Sequence, residues 1–269
     1  MTGVTILSVR CVIRNLGEMP DARDGAEPCG VIWHKSGMRE CEGDRRRVDA
    51  NGRACAGSQR QIQTYINESA EPFSKAIAQS LSGDLPSSAR IRWVSPLTHD
   101  KYAEYRDGDC LRVLGMQQHE SELSAFWPKG GPCWDALARV SFSDGHCGCV
   151  LVEAKSHVDE IYGNGCRASD VSRQQICEAL RRAKEWLGVA PEADWTGKLY
   201  QSANRYAHLY FLRAIAGIDA FLVNVYFLND RHSPTTIQEW KPAISEVKQQ
   251  LGLVSPAPFS SEVFLDAVL

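Results

Sequence analysis

No stretch of the chain approaches 18 uninterrupted apolar residues, so no membrane-spanning helix is expected along its 269 positions. No secretory leader is expected either, because Arg10 interrupts the only apolar run near the N-terminus. There is no basic excess: 30 Lys and Arg stand against 33 Asp and Glu, a formal charge of −3. That argues against a protein that coats nucleic acid regardless of sequence, while leaving room for a local basic groove. No CxxC pair occurs among the ten cysteines, and Cys29, His34, Cys41 and Cys55 fit no compact zinc spacing. Free thiols in a reducing cytoplasm are therefore the expected setting. Internal repeats are absent as well. Hydrophobic residues at 43% and charged residues at 23% are ordinary for a globular chain able to bury a core.

The first 57 residues read differently from the rest. Asp21 to Ser58 is rich in Gly, Arg, Asp and Glu and carries no sustained period, so it offers little apolar surface against its ordering entropy. A poorly ordered or non-native extension is expected over 1–57, with Met19 and Met38 as internal starts, and one domain over 58–269. Within it, 60–82 reads as helix broken near Glu71-Pro72, 91–94 as a short strand, and 98–115 and 119–126 as helices. The runs 134–142 and 148–155 are strands around Ser143-Asp144-Gly145, a hairpin signal. Ser169 reads as the cap of a helix over 170–187, with Val171 and Ile176 at the start of its apolar face. A helix over 200–216, a doubly buried strand over 220–228, a helix over 236–251 and an edge strand over 263–268 complete the series. That order predicts an α/β layered domain around a central mixed sheet flanked by helices.

The strand Val150-Leu151-Val152-Glu153-Ala154-Lys155 carries the chemistry. An apolar run this dense belongs inside, yet it ends in an acid and a base two residues apart, which share one face of a strand. Across the hairpin stands Asp135. A three-residue loop with Gly145 left-handed places 142 opposite 146 and 135 opposite 153, on the same face. A two-residue Asp144-Gly145 turn instead places Asp135 opposite Ala154, on the wrong face unless a bulge corrects it. Two opposed carboxylates repel by roughly 4 kcal/mol at 4 Å and an effective dielectric of ~20. A hard divalent cation such as Mg²⁺ compensates that repulsion, and Lys155 is placed to orient a water on it.

Asp135, a short hairpin and then Glu153-Ala154-Lys155 resemble the signature of the PD-(D/E)xK, or restriction-endonuclease-like, nuclease superfamily. The surrounding FWPKGGPCWDALARV and VLVEAKSH also resemble bacterial proteins that carry this pattern, from about Arg60 to the C-terminus. The residue before Asp135 is Trp134 where the signature has Pro. The resemblance implies a restriction-endonuclease-like core and a Mg²⁺- or Mn²⁺-dependent nuclease acting on nucleic acid, DNA in the first place. It further implies Asp135, Glu153 and the Ala154 carbonyl as metal ligands, with Lys155 activating water. A catalytically inactive binding module on the same fold is the competing expectation.

Further candidates surround this centre. Many members of the superfamily carry an additional acid on the helix before the hairpin, and Glu122, or Glu120, stands there. Gln201, Asn204, Arg205 and His208 form one polar stripe on a helix, with Gln201 and Arg205 as candidate contacts to substrate. Tyr206 falls five residues after Gln201, one too many for the Gln-to-Tyr spacing of the exonuclease-like branches. Lys129-Gly130-Gly131 reads as a phosphate approach or a plain turn, and His157 continues the face of Lys155 or lies at the surface.

Overall fold

The computed structural model describes residues 48–253 and 257–268. Most of the N-terminal extension expected from the sequence, residues 1–47, lies outside the described residues. Its last ten residues do not: Val48 bridges Ala54, and Ala54 is buried with its N–H held by the Gln63 side chain at 2.8 Å. The packed chain thus begins before residue 57.

Two helices come first, α1 (Gly57–Glu68) and α2 (Ala70–Ser80). The break falls at Ser69, ahead of the expected Glu71-Pro72, because proline in the first turn of α2 forgoes an N–H that has no helical partner there. Strand β1 (Arg90–Ser95) follows, then α3 (Asp107–Leu114) and α4 (Glu120–Phe126). The helix expected over 98–115 is much shorter. Lys101 and Tyr102 take positive φ of 49° and 58°, which an α-helix does not accommodate, and Tyr105 bridges to Trp134 instead.

The hairpin is β2 (Ala136–Ser141) and β3 (Cys147–Lys155), followed by α5 (Asp170–Leu187) and α6 (Tyr200–Tyr210), which runs into a π turn over Phe211–Ile215. Val171, expected on the apolar face of α5, is 81% exposed, since the buried stripe starts only at Ile176. Strand β4 (Asp219–Leu228), helix α7 (Ile237–Leu251) and strand β5 (Ser260–Asp266) close the chain. Thr236 and Glu239 form a reciprocal capping box that fixes the start of α7.

The sheet runs β1-β2-β3-β4-β5, antiparallel across the first three strands and parallel across the last three. Helices return the chain between the parallel strands, as that pairing requires. On one face Tyr65 of α1 stacks on Phe227 and Phe73 of α2 on Trp93. On the other, Arg139 donates to the Val113 carbonyl of α3 and Trp240 of α7 packs on Tyr226. Helix α6 shares that second face, with α5 packed outside it. The architecture is α/β with a five-stranded mixed sheet flanked by helices. Among the described residues no helix is long and apolar enough to cross a membrane.

Candidate active site

The hairpin loop decides the site. Phe142 donates to the His146 carbonyl at 3.1 Å, and Gly145, at φ 92°, donates to the Phe142 carbonyl at 3.1 Å. This is the three-residue loop with a left-handed glycine. The ladder pairs Ala136 with Val152, so Asp135, one residue further, stands opposite Glu153. Hydrogen-bonded pairs alternate along an antiparallel ladder, so the N–H and carbonyl of Ala154 both face the β2 side. Trp134 has turned away to pair with Tyr105, and the Asp135 Oδ2 takes its place as acceptor of the Ala154 N–H at 2.7 Å.

Asp135, Glu153 and Lys155 are 1%, 3% and 3% exposed, inside the domain although all three carry ionisable side chains. The Lys155 ammonium donates to Glu153 Oε1 at 2.7 Å. Arg205 of α6 takes the other oxygen, donating from Nε to Glu153 Oε2 at 2.6 Å and lying 2.5 Å from it through Nη2. The same guanidinium donates to the Cys133 carbonyl at 3.0 Å and to Asn204 Oδ1 at 2.8 Å, and lies over the Trp134 ring at 5.0 Å. Burial, and then the negative charge of Glu153, push the Asp135 carboxyl up to about 6 against the partial relief given by Lys155, the Ala154 N–H and Arg205.

The donor set suits a hard divalent cation: two carboxylates on one face of the sheet end and a main-chain carbonyl directed to the β2 side, with burial and then Glu153 holding the Asp135 carboxyl up. Among the described residues no group of three or more His, Cys, Asp or Glu side chains is arranged to hold a metal. Two carboxylates and a carbonyl would leave the remaining positions to water, the usual arrangement for Mg²⁺.

The outer candidates separate. Glu122 is exposed and lies 2.5 Å from His119, while Glu120 pairs with Arg112, so both carboxylates are engaged at the surface, away from the site. Lys129 is exposed, and the N–H groups of Gly130 and Gly131 donate at 2.9 and 2.8 Å to the Asp107 carboxylate, so the turn holds an internal anion rather than a phosphate. A Cβ at Gly131 would lie 2.8 Å from Asp107 Oδ1, so a larger residue there displaces that carboxylate. His157 pairs with Glu160 at 3.2 Å, and burial lowers its pKa, followed by the Lys155 charge among the lowering causes. Gln201 Oε1 is buried without a hydrogen-bond partner beside Gly163. His208 is neutral, its pKa lowered to about 3 by burial, with its ring against Trp127 at 4.8 Å.

Sequence reasoning passed over the polar residues of α1. Gln59 reaches Glu104 at 3.2 Å, and Gln61 reaches the fully buried Asp230 at 3.2 Å. The dense glutamines of GSQRQIQ were a signal, but their partners lie far away in the chain. Six of the described cysteines are free thiols, whereas Cys55 is disulfide-bonded, against the expectation of free thiols throughout. No family model, curated protein or solved structure matches this chain.

Proposed function

We propose that this chain is a divalent-metal-dependent nuclease of the PD-(D/E)xK, restriction-endonuclease-like kind, hydrolysing phosphodiester bonds, of DNA in the first place, by attack of an activated water. The observation that carries the reading is the Asp135–Glu153 opposition beside Lys155 at the carboxyl end of β3. Asp135, Glu153 and the Ala154 carbonyl would hold Mg²⁺ or Mn²⁺, which supplies a polarised water and neutralises charge building on the phosphate. Asp135, held by the Ala154 N–H, presents a fixed carboxylate. Lys155 keeps its ammonium on the same face as both acids, where it orients the attacking water and faces the developing negative charge. In the metal-free protein Arg205 holds Glu153 Oε2 in place.

A second reading rests on a specific observation: both Glu153 oxygens already have cationic partners in a place only a few per cent exposed. A self-satisfied ion cluster of this kind fits a catalytically inactive member of the fold that binds nucleic acid or a protein.

Incubation with plasmid and single-stranded DNA separates the two. The nuclease reading expects cleavage with Mg²⁺ or Mn²⁺, at least a hundredfold slower in Lys155→Ala and absent in Asp135→Ala. Intact DNA under every metal condition, with calorimetry unable to detect a metal lost in Asp135→Ala, favours the binding module.

A further inference from the structure

We propose that Arg205 is an internal counter-cation that occupies Glu153 in the metal-free protein and must be exchanged for the divalent ion, so that the centre takes its metal together with an anionic phosphate rather than alone. This rests on the nuclease reading and adds to it the order in which the site is filled.

Charge and geometry carry the inference. Asp135 and Glu153 contribute two negative charges, and Lys155 and Arg205 two positive ones, within one cluster of side chains 1–4% exposed. These four charges cancel, so they draw a free dication only weakly, although the donor atoms suit it. Arg205 is also held independently of Glu153. The Cys133 carbonyl, the Asn204 side chain and the Trp134 ring engage the same guanidinium. It therefore keeps three partners when a metal takes Glu153 Oε2, and it stays beside the centre as a fixed positive charge. A dication entering a neutral cluster leaves an excess of positive charge in a buried place. A phosphate anion removes that excess, and the released N–H groups of Arg205 are donors suited to its oxygens.

The exchange is read on the wild-type protein by following the Arg205 Nε–H resonance during Mg²⁺ titration. The resonance is expected to shift as the bond to Glu153 is lost, and to stay in place in Asp135→Asn. Calorimetry with Mn²⁺ is expected to give weak binding to the protein alone and at least tenfold tighter binding with thymidine monophosphate present. Arg205→Gln, which keeps donors without the charge, is expected to bind Mn²⁺ alone at least tenfold more tightly, and Arg205→Lys to resemble wild type. If Arg205→Gln does not fold, the resonance shift still decides. Metal binding that is lost in Asp135→Asn but leaves the Arg205 resonance unmoved and gains nothing from the nucleotide overturns the exchange and spares the nuclease reading. No metal binding to any variant, with or without nucleotide, overturns both.

Discussion

At the scale of single residues, Asp135 is the most informative group because its charge costs stability. A carboxyl that ionises near 3.9 in the unfolded chain and about 6 in the folded one binds its proton more tightly when folded. The unfolded state therefore releases its proton first as pH rises. The stability associated with protonated Asp135 is complete below about pH 4 and lost progressively up to about pH 6. Denaturant titrations of the metal-free protein should show this decline between pH 4 and pH 6, and Asp135→Asn should flatten it. At pH 7.5 the same substitution keeps an acceptor for the Ala154 N–H and removes a charge that burial, and then Glu153, disfavours. It should stabilise the metal-free protein by about 1–3 kcal/mol, at ~1.4 kcal/mol per pKa unit, while abolishing metal binding. A fall in Tm for Asp135→Asn would mean that the carboxylate is structural. Glu153 and Lys155 were legible as a pair because strand parity alone puts 153 and 155 on one face, whereas the place of Asp135 depended on which loop the hairpin takes. The use of Arg205 was not. A residue 52 positions from Glu153 becomes its partner only through the packing of α6 on the sheet, and the sequence shows a polar stripe without showing what it meets.

At the scale of elements, the hairpin does the positioning through the flanking pair that its loop closes, Phe142 opposite His146. Gly145 has φ 92°, and a Cβ there would meet only open space, so Gly145→Ala should cost on the order of 1 kcal/mol in backbone strain and leave metal binding intact. Deleting Asp144 leaves Ser143-Gly145 as a two-residue turn between the same flanking pair, Phe142 and His146, so Asp135 should stay opposite Glu153 and metal binding should survive the shorter loop. Loss of metal affinity in a deletion variant whose circular dichroism still reports a folded sheet would contradict that pairing. Elements with strong local signals were readable: α5 runs over Asp170–Leu187, and β4 is a doubly buried strand flanked by parallel neighbours. The segment between β1 and α3 was not, because its left-handed residues, Lys101 and Tyr102, have no local preference for that conformation. The pairing of Tyr105 with Trp134 fixes its path, and that pairing spans most of two helices in sequence.

At the scale of the whole molecule, the layers place charge where one helix can trim it. The chain carries −3 overall, so any grip on nucleic acid depends on local charge. The centre lies where β2 and β3 part, with α6 over it and the ordered segment 48–56 tied to α1 through Gln63 and Ala54. That segment reads as unstructured from composition because its apolar content is low; a single buried alanine and a glutamine amide anchor it instead.

Whether a divalent ion sits between the carboxylates of Asp135 and Glu153 is the central question. Anomalous diffraction from crystals soaked in Mn²⁺ with thymidine monophosphate locates such an ion directly. A peak is expected within coordination distance of both carboxylates and the Ala154 carbonyl, lost in Asp135→Asn. A saturating soak with no density there, and Lys155 and Arg205 still closed on Glu153, would contradict a metal centre at this hairpin.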